Sequence, residues 1–430
     1  MCSPLKPTAN LLKFFIIIGG FPLIPQDETW TKFKFWNKAK FPHLFTYGVP
    51  IGLYIYSLIV IFGTTEHSFQ DFKSQWYTHG LNLVDLTAVI VLIWTHIIIA
   101  LVILVVFRNA ADPISGLCQT MAEHNQLLGI SEQDLRPLTK RTYLALLVLF
   151  ILHIMSVVSS YRYCNDLLAK GLDTYLHFPM HIIWISIVFI FFWPFPVASS
   201  FIVNRQCLLT LDHQLLIYNS KIPLEEKDFE KTLSEQLKEE ESTKIKIEDE
   251  NGPEFYIDVG YKIRTSLDVA NGTLGSFLFI DICMCVFVTI ISVYFTPLIF
   301  EAFSYSEENS EIIINRIKLS YGLHCLFLAI KASVRWINFY RVGQNIAVKC
   351  HQISISLEHL LINHPKLTKE VRRNLKILIQ RYKTNSPIRP WNSFDLNLST
   401  AISAAGLVAT YLVILIQFRQ QSSSQESTSF

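Results

Sequence analysis

The sequence predicts an all-α membrane protein of seven transmembrane helices, with a cytoplasmic N-terminus, an extracellular C-terminus and cytoplasmic helical extensions forming an anchor region. Three observations carry that prediction. The 430 residues are 51% hydrophobic and only 17% charged, against roughly 25% charge in soluble domains. Apolar windows of about 20 residues, the length a helix needs to cross a bilayer, recur along the chain. Lysine and arginine alternate between rich and poor connecting segments, which fixes the orientation.

The elements follow in order. Segment 1–43 carries Lys6, Lys13, Lys32, Lys34, Lys38 and Lys40 and is expected to be cytoplasmic. Its apolar stretch 11–18 is short, and Pro22 and Pro25 follow with no small-residue cleavage site. It therefore reads as an interfacial or re-entrant segment, not a signal peptide. The seven spans are placed at 44–62, 86–107, 143–160, 178–203, 274–295, 320–339 and 399–418. The second, LTAVIVLIWTHIIIALVILVVF, is the most apolar, and the sixth is interrupted by Lys331 and Arg335. Those charges must meet partners, face water or snorkel.

Basic residues mark one side of the bilayer. Arg108, Arg136, Lys140 and Arg141 follow the second span, and Arg372, Arg373, Lys376, Arg381 and Lys383 follow the sixth. The alternate connections are poor, and the one between spans five and six is acidic, with Glu301, Glu307, Glu308 and Glu311. The chain accordingly divides into 1–43, spans one to four with part of a ligand pocket (44–203), a partly disordered cytoplasmic loop (204–273) and spans five and six (274–342). Anchor helices (343–398), a last span (399–418) and an extracellular tail (419–430) complete it. Within the loop, 222–258 is charged and poor in aromatics, as solvated inserts are. A helix is expected around 115–128, with Asp112-Pro113 as its start signal. Ile346, Ile353, Leu357, Leu360 and Leu361, then Val371, Leu375 and Leu378, predict two amphipathic helices flanking His364-Pro365.

Several function classes are excluded or unsupported. No Walker loop, H-E-x-x-H, G-x-S-x-G or dinucleotide fingerprint occurs, so no enzyme, cofactor or metal is expected. A net charge of +2 gives no nucleic-acid signal, and the eight cysteines form no metal or disulfide framework. The sequons at Asn271 and Asn397 fall on the predicted cytoplasmic side and read as chance occurrences.

Polar and aromatic groups at membrane depth point to a site. Asp85, Tyr161, Arg162, His177, His181, Trp184, Tyr294, Tyr321 and His324 all fall in the outer half of the predicted spans. Ionisable residues there usually face a cavity or a partner, and aromatic faces beside hydrogen-bonding groups suit a small polar ligand. Taken singly, tyrosine and tryptophan are also the residues of interfacial belts. In the last span, Gly406, Thr410, Val413 and Gln417 form one narrow stripe, with Tyr411, Leu415 and Phe418 beside it. Composition leaves two roles open for this stripe, tight helix packing and pore lining.

The stretch ATYLVILIQF, ending at Phe418, resembles the T-Y-(five apolar)-Q-F signature that closes the last span of insect gustatory receptors. The predicted span count, orientation, long loop after the fourth span and short tail resemble that family too. The resemblance implies a ligand-gated, non-selective channel for Na⁺, K⁺ and Ca²⁺ in the plasma membrane of sensory neurons, needing no G protein. It implies a homotetramer, or a heteromer with related receptors, whose last spans surround a pore within membrane lipid. Thr410, Tyr411, Gln417 and Phe418 match the motif, Val413 lies on the same stripe, and gating carries over to Gln417 and Phe418. Glucose-type sugar receptors of the family often carry Glu after Thr-Tyr, where this chain has Leu412. The wording TYLVILIQF, with Leu83-Val84-Asp85, is similar to the fructose-receptor branch. Receptors for bitter compounds share much of the motif, and a non-channel receptor or structural membrane protein is the alternative from another class.

Overall fold

The computed structural model describes residues 3–18, 20–35, 52, 83–169, 194–222, 253–304, 309–363, 367–384 and 387–427. The predicted first span, the outer part of the fourth, most of the 222–258 insert and His364-Pro365 lie outside these residues. The described helices are α1 (Ala9–Ile17), α2 (Leu83–Leu128), α3 (Glu132–Ala169), α4 (Pro194–Lys221) and α5 (Pro253–Tyr294). After them come α6 (Pro297–Ser304), α7 (Asn309–Asn363), α8 (Lys369–Thr384) and α9 (Leu398–Ser427). Among the described residues, four helical stretches are long and apolar enough to cross a membrane, in α3, in α5 with α6, in α7 and in α9.

Helix α7 is the centre of the bundle. It packs along α3 and α5 for much of its length, and also against α4 and α8. Its buried face, Cys325, Leu328, Ala332, Phe339, Ile346, Ile353, Leu357 and Leu360, keeps helical spacing through both halves. The predicted inward extension of the sixth span is therefore one continuous helix. Helix α8 is amphipathic as expected and buries Val371, Leu375 and Leu378. Two tyrosines tie this end together. Tyr382 donates from its hydroxyl to the Gly260 carbonyl at 3.0 Å, and Tyr218 donates to the Tyr256 carbonyl at 2.7 Å. Gly260 has no room for a side chain, because an added Cβ would sit 2.7 Å from Leu378 Cδ2.

Two local expectations are corrected. Asp112-Pro113 does not start a helix, since Pro113 lies inside the uninterrupted α2. The buried row Phe107, Ala110, Ala111, Ile114, Leu117, Cys118 and Met121 runs straight past it, and its packing outweighs the one hydrogen bond that proline removes. The fold is also not purely helical. Leu23–Pro25 (β1) and Phe33–Phe35 (β2) pair antiparallel, with Leu23 opposite Phe35 and Pro25 opposite Phe33. Asp27 organises the intervening turn. Its carboxylate accepts from the Thr31 N–H at 3.0 Å, the Lys32 N–H at 3.1 Å and both the Thr29 and Thr31 hydroxyls. Burial raises the Asp27 pKa, but these hydrogen bonds outweigh it and hold the carboxyl at about 2. Ser115 fastens the hairpin to α2, accepting from the Phe33 N–H at 2.8 Å.

Candidate functional site

Helices α3, α5 and α7 bring one group of aromatic side chains together. Tyr294 ends α5 fully buried, and its ring stands edge-on to Phe295 at 4.9 Å. Phe295 in turn meets Tyr321 of α7 edge-on at 5.0 Å, and Tyr163 of α3 tilts onto the same Tyr321 at 5.1 Å. One turn along, the His324 ring lies 6.3 Å from that of Tyr321. His324 Nδ1 donates to the Ser156 carbonyl at 2.8 Å, with the Ser156 hydroxyl 3.0 Å away. A proton on Nδ1 leaves Nε2 as an acceptor in the neutral ring. The cluster thus offers aromatic faces and a few hydrogen-bonding atoms, the make-up of a small-molecule site.

Three of the predicted ligand residues, Tyr294, Tyr321 and His324, meet here. Asp85 lies in the first turn of α2. His177, His181 and Trp184 lie outside the described residues. Tyr161 and Arg162 are exposed at the far end of α3, and Tyr161 continues the outward stripe of Leu147, Ile151, Ile154 and Val158. Tyr163, Ser156 and Phe295 were not anticipated. The signal for two of them was present: His153, Ser156 and Tyr163 share one face of α3 at helical spacing, opposite that stripe.

The last helix has a different character. Among the α9 side chains described, only Ala401 is buried, while Ala404, Leu412, Leu415 and Ile416 rest partly on the rest of the chain. Thr410, Tyr411, Val413, Gln417 and Phe418 are all exposed, as is the apolar Leu407. The Thr410 hydroxyl donates back to the Gly406 carbonyl at 2.9 Å, and Ser403 does the same to Ser399 at 3.1 Å. These hydroxyls are satisfied within the helix, so a polar stripe is compatible with an apolar setting. Gly406 has nothing within 4 Å of where a side chain would begin. No contact among the described residues requires glycine there.

The base of α9, by contrast, is tightly fixed. Asn397 caps the helix, its side-chain oxygen accepting from the Thr400 N–H at 3.0 Å. Gln344 of α7 accepts from the Leu398 N–H at 3.1 Å, and Gly343 lets Leu396 press directly on α7. The preceding linker carries Trp391 at φ 45°, with its ring edge-on to Phe279 at 5.1 Å, and an Arg389–Asp395 ion pair at 3.0 Å. Asn271 spans from α5 to this linker, donating to the Pro387 carbonyl at 3.0 Å and accepting from the Arg389 N–H at 2.7 Å. Both sequon asparagines are therefore engaged in structural hydrogen bonds.

A family model described as a 7tm chemosensory receptor matches residues 10–422. The fold is similar to the structure of the insect olfactory receptor OR5 from Machilis hrabei in complex with eugenol. That match has a TM-score of 0.60 and 14% identity, over 95% of this chain and 98% of that one. A second structure of the same receptor gives a TM-score of 0.59 and 16% identity, over 96% of this chain and 98% of that one. A comparison with curated proteins finds no match.

Proposed function

This chain belongs to the 7tm chemosensory receptor family, and from that premise we propose that it is a gustatory receptor acting as a ligand-gated, non-selective cation channel. The family is one of receptors and not of enzymes. Seven spans with the N-terminus inside, four copies around an axis, and α9 as the pore-lining helix complete the reading. The observation that carries it is the state of α9. The helix is apolar enough to cross a membrane, yet only 6% of its apolar window is buried within its own chain. Thr410, Tyr411, Val413, Gln417 and Phe418 of its T-Y-(five apolar)-Q-F stretch lie on that uncovered surface. Surrounding α9 with copies of itself supplies the missing neighbours, and puts the Thr410 and Gln417 stripe beside an axis.

The ligand reading is a small tastant, with fructose first, held by the aromatic cluster of Tyr294, Tyr321 and His324 together with Asp85, Arg162, His181 and Trp184; Tyr161, on the outward stripe of α3, gives its place to Tyr163. Aromatic faces stack on sugar rings, and the polar groups take hydroxyls. OR5 is described in complex with eugenol, which supports a small-molecule ligand. A bitter-compound reading is favoured by one observation: the described cluster is richer in rings than in hydrogen-bonding groups. Gating requires a ligand that binds the open arrangement more tightly than the closed one. Because α7 carries Tyr321 and also contacts the base of α9, a shift of α7 reaches the pore helix directly.

Patch-clamp recording and calcium imaging in cells expressing the full chain test the proposal against fructose, glucose and a bitter panel. Fructose-evoked cation current is the expected outcome. Gln417→Ala should change permeation or gating while leaving surface expression intact. Unchanged currents in that variant remove Gln417 from the pore. A current evoked by a bitter compound but not by fructose replaces the sugar assignment.

A further inference from the structure

A cavity lies apart from the aromatic cluster, and none of the cluster's rings lines it. It holds about 740 Å³ between α1, α3, α4, α5 and α7, within the roughly 300–1,000 Å³ typical of small-molecule pockets. Its walls are almost wholly apolar. Phe14 of α1 and Leu144, Leu147 and Phe150 of α3 line it and are exposed on the outer surface of the bundle. The opening therefore faces the hydrocarbon of the bilayer and not water.

Charged groups are gathered in its wall. Asp281 of α5 accepts from Arg335 of α7 twice, from Nη2 at 2.6 Å and from Nε at 3.0 Å. Arg335 Nη2 also donates to the Val197 carbonyl of α4 at 3.2 Å. The Cys285 thiol approaches the same carboxylate at 3.8 Å. This pair is complete, and it leaves Lys331 over. Lys331 Nζ lies 3.3 Å from His153 Nδ1 of α3, and among the described residues no carboxylate comes within 4.0 Å of it. Among the described residues, one positive charge in an apolar wall thus lacks a counter-charge. Such a residue at membrane depth calls for a partner.

We propose that this cavity is a binding site for a long-chain fatty acid, its carboxylate paired with Lys331 and its hydrocarbon chain lying along α3 and α1. The apolar walls alone would not select any ligand, because a chain leaving lipid for the cavity gains little. The head group must supply the preference, and the uncompensated charge selects an anion. Depth selects the fatty acid over an anionic phospholipid. Lys331 lies eleven residues into the span that begins at Ser320, about 16 Å along the helix, near the middle of a roughly 30 Å hydrocarbon core. A single carboxylate has only two oxygens to bring there. A phosphodiester would have to draw its glycerol and second chain down with it. The site is separate from the tastant pocket and the proposal does not depend on what that pocket binds.

The test is photolabelling of the purified full-length protein in phosphatidylcholine nanodiscs with a diazirine-bearing palmitate, with no current recorded. Labelled peptides are expected from α3 around 144–150, displaced by excess oleate and not by oleyl alcohol. Lys331→Met should weaken labelling about tenfold, the loss of one charge-assisted contact, and Lys331→Arg should retain most of it. Leu147→Trp narrows the opening from the lipid side without touching the charges, and should lower labelling even where Lys331→Met does not fold. Equal labelling of wild type, Lys331→Met and Leu147→Trp overturns the proposal. So does equal displacement by the alcohol. Lys331-dependent labelling by a photoactivatable phosphatidic acid, with none by the palmitate, replaces the fatty acid with a phospholipid.

Discussion

Helices α5 and α9 are both apolar enough to cross a membrane, and they are buried to opposite extents. In the window that includes α5, 61% of residues are enclosed by the chain, against 6% in α9. Hydropathy alone describes the two alike. The difference lies in what each surface touches. Helix α5 buries Leu274, Leu278, Ile282, Ile291 and Tyr294 against its own chain, and places Asp281 where Arg335 neutralises it. Helix α9 is fixed at its base, rests on its chain beyond that only partly through Ala404, Leu412, Leu415 and Ile416, and carries Thr410, Tyr411, Gln417 and Phe418 outward. An apolar surface costs nothing toward lipid, so the membrane does not force α9 to pack within its chain. That leaves it available to a second copy.

The comparison can be broken or sharpened in four ways. The largest effect is expected in the wall that α5 and α7 share. Arg335→Leu strands a buried carboxylate and should destabilise the protein by about 3–5 kcal/mol. A thermal melt in detergent reads the loss, and adding Asp281→Leu should restore most of it. Next come matched truncations. Leu278→Ala in α5 should cost about 2–5 kcal/mol. Leu407→Ala in α9 should leave the melt of the monomer nearly unchanged and shift the size-exclusion profile from oligomer to monomer. An unchanged profile would end the claim that α9 meets another copy.

Glycines give a finer test of the same contrast. An added Cβ at Gly343 would stand 2.6 Å from Leu396 Cγ, while Gly406 faces open space. Gly343→Ala should therefore cost about 1–3 kcal/mol by overpacking, and Gly406→Ala should leave the melt alone while altering conductance. The smallest effect is a titration at the end of the bundle that holds α8. His124 of α2 is buried beside Ser266 of α5, 2.7 Å from its hydroxyl. Burial lowers its pKa below 6.5, and Lys262 adds to that while Glu123 and Asp258 oppose it. A depressed histidine favours the fold above its unfolded pKa and loses that contribution as pH falls. Melts taken between about pH 7 and pH 5 should decline, and His124→Gln should flatten the slope.

Much of this architecture was legible in the residues. The apolar windows of α3, α5 and α9 announced themselves by length, that of α7 stood out less because Lys331 and Arg335 interrupt it, and Leu357, Leu360, Leu375 and Leu378 showed the amphipathic faces that close the α7–α8 end. What sequence reading missed depended on neighbours. Pro113 looked like a boundary because the packing that carries α2 past it is tertiary. The hairpin at Leu23–Pro25 and Phe33–Phe35 is too short for its alternation to register, and Ser115 secures it from eighty-two residues away. Within the candidate site, Tyr161 and Tyr163 look equivalent on composition. Only the outward phase of Leu147, Ile151, Ile154 and Val158 separates the exposed ring from the one that meets Tyr321. The cavity beside Lys331 was not visible at all, since five separate segments enclose it.

Helix α7 runs from Asn309 to Asn363 with no proline along its length. Tyr321 and Gly343 therefore sit on one rod, about 33 Å apart at 1.5 Å per residue. A rod without a joint cannot absorb rotation between its ends. A tilt of about 5° imposed at Tyr321 would carry the Gly343–Leu396 contact sideways by about 3 Å over that span. The base of α9 rides on that contact, so the geometry works as a mechanical lever, turning a small adjustment around Tyr321 into a larger one at the foot of α9.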